Sequence, residues 1–304
     1  SAGVVTATSF KGDGSGLTGV SAGLTTDVYR NTSGGINALD SLSAGNATDN
    51  TAIGYDAGTA VTTGDKNTAV GSYALDANTT ASYNTGVGYD ALTDNTTGAQ
   101  NTAVGYNALA NNTTASFNIA IGSETLFTNT TGTSNAVVGQ AALYNNTTGS
   151  ENTALGQSAL NANTTANDNV AVGAYALKAT TTGGNNVGVG NSALVANTTG
   201  TNHVAVGHYA LSANTTGTNN VAVGKNSLLS NTTGDDNTAI GYLALDANTT
   251  ADNNTAVGYN ALTANTTGVS CVAVGYGALA SNTTANQNVA VGQNALTANT
   301  TGAT

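Results

Sequence analysis

A glycine returns every seventeen residues, at Gly54, Gly71, Gly88, Gly105, Gly122, Gly139, Gly156, Gly173, Gly190, Gly207, Gly224, Gly241, Gly258, Gly275 and Gly292. No interval among these fifteen copies gains or loses a residue. A fixed short period is the signature of stacked repeat units, each too thin to bury a core alone. A chain of separate elements tolerates length changes in its loops; a column in which each coil sits on the last does not. Length alone would suggest about two domains. The period predicts instead one elongated body over residues 50–304, preceded by a lead-in and capping segment over residues 1–49.

The unit is clearest at residues 101–117, NTAVGYNALANNTTASF, with the recurrent glycine as position five. Position four is always Val, Ile or Leu; position two is Thr or Val except at Ile119 and Ala136; position three is Ala or Gly except at Val137. Alternate residues of a strand share a face, so positions two and four form one β-branched face and position three a smooth opposite one. A strand apolar on both sides calls for cover on both sides. The glycine permits a bend. Ala at eight and Leu at nine make a second short apolar stretch, and Asn-Thr-Thr-Gly/Ala at twelve to fifteen reads as a turn. The expected fold is all-β: a parallel β-solenoid of fifteen 17-residue coils. Each coil is read as strand, bend, short strand and turn, and the rod would be roughly 70 Å long at about 4.8 Å per coil.

Three or four aliphatic side chains per coil make a thin core against a backbone ordering cost of ~1–2 kcal/mol per residue. Association with further copies would relieve this. The smooth face at position three would let another copy approach, with positions two and four filling the coil, or the reverse.

Gly, Asn, Thr and Ala dominate, but the fixed phase of Val and Leu argues against low-complexity disorder. The net charge of −11 comes with only five Lys plus Arg. Nucleic-acid binding therefore has no electrostatic basis. No apolar run approaches the roughly 20 residues that span a bilayer. One cysteine, Cys271, excludes an internal disulfide framework. The chain begins at Ser1 with no visible signal peptide, as expected of a processed or trimmed start.

Within the lead-in, residues 4–10 read as a strand and residues 11–20 as a run of turn signals. Gly14, Gly16 and Gly19 match a dinucleotide-binding fingerprint in form, but no helix follows to complete it. Residues 27–47 read as cover for the first coil.

Asn fills position one at Asn50, Asn67, Asn84, Asn101, Asn118, Asn135, Asn152, Asn169, Asn186, Asn220, Asn237, Asn254 and Asn288, with His203 and Cys271 as the two replacements. Stacking would join these amides in a hydrogen-bonded ladder. Copies of His203 meeting near an axis would offer an anion or metal site, and a hydrogen-bonded His is the plainer reading. The Asn-Thr-Thr triplets satisfy the N-glycosylation pattern, but a repeating turn needs the same residues at the same phase. Glu151 with Asp168, and Asp235 and Asp236 with Asp252, are one coil apart. Like charges there would be relieved by a cation such as calcium, or screened by water in a solvated turn. Tyr at positions six and seven, as at Tyr106 and Tyr175, offers sugar-stacking faces or cross-coil packing. No catalytic triad or metal-spaced cluster is present, so no enzyme is expected. The carboxylate pairs of a polysaccharide-cleaving spike would need a cleft, and uninterrupted coils supply none.

The unit Asn-Thr/Val-Ala-Val-Gly resembles the repeats of trimeric autotransporter adhesin heads, which are left-handed parallel β-rolls. It is more similar still to bacteriophage tail-fibre and tail-spike repeats, which often carry a lead-in like residues 9–20. The coil is longer than in the adhesin heads, and the adhesins' C-terminal membrane anchor and the phage fibres' terminal chaperone are not found. The resemblance implies a trimeric left-handed β-roll in an extracellular fibre. The first expectation is a phage tail-fibre shaft presenting a tip to a cell-surface glycan or protein receptor. A bacterial adhesin or secreted fibre subunit is the alternative. The chain ends in a repeat turn, so either a further C-terminal domain or head-to-tail capping by the next subunit's lead-in is expected.

Overall fold

The β-branched and small residues at positions two to four form a three-residue strand in every coil. The computed structural model describes residues 25–42 and 46–302. The strand expected at residues 4–10 and the glycine-containing run at 11–20 lie outside the described residues. Among the described residues seventeen strands form one sheet. The first, β1 (Thr25–Thr26), pairs antiparallel with β2 (Thr32–Gly34). From β2 onward, through β3 (Thr51–Ile53) to β17 (Val289–Val291), each strand pairs parallel with the next. From β3 onward the offset is seventeen residues throughout, as in Thr102↔Ile119 and Val170↔Val187. The all-β parallel solenoid is thus the observed fold.

Stacking starts earlier than the expected boundary at residue 50. β2 pairs with β3 at an offset of nineteen, Thr32↔Thr51, so one further coil begins at Asn31. Asn31, Gly35 and Leu39 take positions one, five and nine in it. Ahead of this coil, the Asp27 carboxylate accepts the Asn31 backbone N–H at 2.8 Å and its Nδ2 at 2.9 Å. Asp27 thereby replaces the preceding position-one side chain that every later coil has. Burial opposes ionisation of this carboxyl, but its N–H donors together outweigh that and hold its pKa below the usual range.

Position three faces inward. Ala52, Ala103, Ala171 and Ala239 are fully buried, whereas positions two and four are half-buried or exposed along the rod. Of the two orientations that the sequence leaves open, the coil adopts the one with the small face inside, and that face is not available to a second copy. The reason is volume. A Cβ placed on Gly86 would lie 3.3 Å from Leu75 Cγ, and one on Gly188 would lie 3.2 Å from the Leu177 side chain. Leu at position nine comes down onto position three from the adjacent coil and in most coils leaves room for little beyond a methyl group, the buried Val137 being the one larger side chain there. These leucines, with Ala at three and eight, make one continuous core. Full burial of each leucine contributes about 1.5–3 kcal/mol.

Positions eight and nine are turn rather than a second strand. The chain bends there through left-handed residues: in the coil 101–117, Asn107 (φ +54°), Leu109 (+52°) and Phe117 (+64°). Gly105 precedes them at φ +138°, where its Cα lies so close to the next coil that an added Cβ would sit 2.4 Å from the Gly122 carbonyl. Both conformation and contact therefore require glycine at position five. Backbone bonds bind this coil to both neighbours: Thr102, Leu109 and Thr113 donate N–H forward, and Gly105, Asn107 and Phe117 donate backward, at 2.8–3.4 Å.

Candidate interaction surfaces of the rod

Asn at position one is buried and hydrogen-bonded as a ladder, but the amides reach mainly for backbone. Asn84 Nδ2 donates to the Gly98 carbonyl at 2.8 Å, and its Oδ1 accepts the Asn101 N–H at 2.9 Å. The side chain thus satisfies two main-chain groups that the turn leaves without ladder partners. A second ladder, at position twelve, goes beyond the sequence reading. Asn95 Nδ2 donates to the same Gly98 carbonyl at 2.9 Å and to Asn78 Oδ1 at 3.1 Å. Two amides from opposite walls therefore clamp one carbonyl in each such coil. The fixed phase of Asn at position twelve is the signal that could have found it.

The second ladder accounts for the Asn-Thr-Thr triplets as structure and leaves no room for the N-glycosylation that their pattern allows. Its asparagines are those of the triplets; Asn95, Asn112 and Asn129 are fully buried with Nδ2 already donating. A sugar on that nitrogen has no space in the folded coil. The following Thr continues the stack, as Thr96 Oγ1 donates to the Thr113 carbonyl at 3.0 Å.

His203 is fully buried in the position-one column, so symmetry copies of it cannot meet at an axis. Its Nδ1 accepts the Asn220 N–H at 3.1 Å, which places the ring proton on Nε2. Burial pushes its pKa down to about 4, although the Gly217 backbone and Asp235 favour the charged form. Cys271 is buried in the same column, with Sγ 3.2 Å from the Ala285 carbonyl.

The carboxylates take up backbone and side-chain donors. Asp252 Oδ1 accepts the Asp235 N–H at 2.8 Å, Asp235 accepts the Thr218 N–H, and Asp236 accepts Asn219 Nδ2 at 3.1 Å. Position sixteen is a third ladder, continued by Ser and Asn side chains such as Ser116 on the Ala99 N–H and Asn167 on the Ser150 N–H. Glu151 and Asp168 are exposed at position seventeen. Among the described residues no group of three or more His, Cys, Asp or Glu is placed to hold a metal ion. At position ten, burial raises the pKa of Asp76 and Asp246, partly offset by hydroxyl donors from Thr93 and Thr263 at 2.8 and 2.6 Å.

Several tyrosines stack on one another, while Tyr73 meets Tyr55 and Tyr89 edge-on. Tyr242, Tyr259 and Tyr276 form a column with centroids 5.3 and 5.2 Å apart and planes within 19° and 5°. Their faces are turned to each other, which is the cross-coil packing reading. Among the described residues the surface has no pocket, and no helix is long and apolar enough to cross a membrane.

What remains is a long, uncharged and largely aliphatic stripe, with Thr at position two in seven of the fifteen coils. The side chains of positions two and four project outward on every strand from β3 to β17. They include Ile119 (44 % exposed), Ile121 (39 %), Val138 (40 %), Leu155 (39 %), Val204 and Val206 (37 % each). No charged residue occupies either column.

No protein-family model matches the chain, and no curated protein matches it in sequence.

Proposed function

We propose that this chain is a non-enzymatic shaft: a stiff rod that holds a binding tip away from its base, as in a phage tail fibre outside the cell. The observation that carries the reading is the unbroken parallel register from β2 to β17, with equal coils from β3 onward and no inserted loop among them. A column tied together by backbone bonds and three side-chain ladders keeps its ends at a fixed distance. The described surface lacks the concavity in which small-molecule chemistry is ordinarily housed. The tip would carry recognition of a surface glycan or protein receptor, and the shaft its reach.

The test is separation. A compact marker domain fused to each end of the chain should give pairs of densities in electron micrographs at one narrow spacing of roughly 70 Å. A broad spread of spacings would overturn the shaft reading.

A further inference from the structure

We infer that the outward β-branched stripe is a seam on which a second copy of this chain packs, coil against coil. The inference rests on the shaft reading for its biological use and adds to it the partner and the face.

The first argument is area. The stripe is about 10 Å wide, from two side chains per three-residue strand, and roughly 70 Å long, or roughly 700 Å². The largest apolar patch of an ordinary monomer is about 300–600 Å², and larger ones mark interfaces. A stable complex covers about 800 Å² on each partner. The stripe is therefore of the size that a specific interface buries.

The second argument is composition. Position two varies mainly between Thr and Val along the rod, while position four is aliphatic in all fifteen coils. The coil has no internal use for that choice, because position three and the leucines fill its core. A solvated face would carry polar residues at position four, as positions six and seventeen do with Gln, Asn, Asp and Lys in several coils.

The third argument identifies the occupant. A partner must offer apolar complement at every coil step of about 4.8 Å over the whole stripe. Another copy has that period, that length and the same uncharged surface, so the contact is self-complementary. The net charge of −11 lies outside both columns and leaves the seam free of like-charge opposition.

The experiment is the mass in solution of the wild-type chain and of the double variant Val204→Lys, Val206→Lys. Both side chains point away from the coil core, so the variant should keep its circular dichroism. The wild type should show a mass of two or more chains of 29.5 kDa, and the variant 29.5 kDa. A three-chain wild-type mass would agree with a trimer. Gln157→Lys with Thr199→Lys, exposed but off the stripe, should leave the wild-type mass unchanged. If the lysine pair unfolds the chain, Val204→Thr with Val206→Thr keeps the β-branched shape and should move the dissociation midpoint to at least tenfold higher concentration. A wild-type mass of one chain at tens of micromolar would overturn the seam. So would a folded stripe variant that associates like the wild type. Neither result touches the end-to-end spacing, which separately decides the shaft reading.

Discussion

The inside and the outside of each coil reverse the usual assignment of residue types. Asn84 and Asn95 are fully buried, while Ile119 and Val206 project into the surroundings. Hydropathy would place them the other way round. What decides is the closure of a seventeen-residue loop. Its corners leave backbone groups that only a short amide reaches, and its width under Leu109 and its equivalents admits little more than Ala or Gly. An unpaired buried backbone group costs about 1–3 kcal/mol, comparable to what burying a valine contributes. Bonding geometry selects the interior, and the aliphatic residues left over form the outer face.

The comparison is broken most severely by substituting an inner amide. Asn152 Nδ2 donates to the Ala166 carbonyl at 2.9 Å, and its Oδ1 accepts the Asn169 N–H at 3.1 Å. Asn152→Leu is more hydrophobic, yet it should cost about 3 kcal/mol in urea unfolding, by leaving the Asn169 N–H without a partner and the Ala166 carbonyl with Asn163 Nδ2 alone.

The next effect is pH-dependent. The folded pKa of His203, about 4, lies below its unfolded value of about 6.5. The unfolded chain therefore binds the extra proton first as pH falls. The stability contributed by the neutral, buried ring is fully present above about pH 6.5 and is lost progressively down to pH 4, by up to about 3 kcal/mol. His203→Asn restores the ladder residue and should remove this component from the pH dependence of the melting temperature. Identical pH profiles for the two proteins would contradict the assignment.

A smaller gain should come from repairing the second ladder. Thr180 interrupts it, and Asn163 Oδ1 on the preceding coil is buried without a partner. Thr180→Asn supplies the missing Nδ2 and should stabilise by about 1 kcal/mol, read as a higher urea midpoint. The smallest effect belongs outside. Val206→Asn, measured at a concentration where the chains are dissociated, should change stability by no more than about 0.5 kcal/mol.

The stacked architecture, the coil length and the position-one ladder are legible in the sequence because a fixed period with Asn and Gly in phase is compatible with few folds besides a column of coils. Residues 31–49 read as lead-in although Asn31, Gly35 and Leu39 fit positions one, five and nine, because the nineteen-residue offset to the next coil hides them from a strict period. The left-handed leucines are not legible. Leu at φ near +52° is unfavourable on its own and persists because burial in the column holds Leu109 there. The inward face stays open at the level of sequence because Ala and Val are both apolar, and only the space beneath leucine nine separates them. The Asn-Thr-Thr triplets look like a solvent-facing turn because Asn and Thr are turn formers; their burial depends on partners one coil away in space.

The reversal is tested most directly by hydrogen exchange of the asparagine side-chain amides, followed by nuclear magnetic resonance on selectively labelled protein. The account predicts that the Nδ2 protons of positions one and twelve exchange as slowly as the backbone amides of the strands, and that those of exposed Asn185 and Asn253 exchange freely. Rapid exchange at Asn95 or Asn118 would show the amides in solvent and contradict the arrangement of the coil.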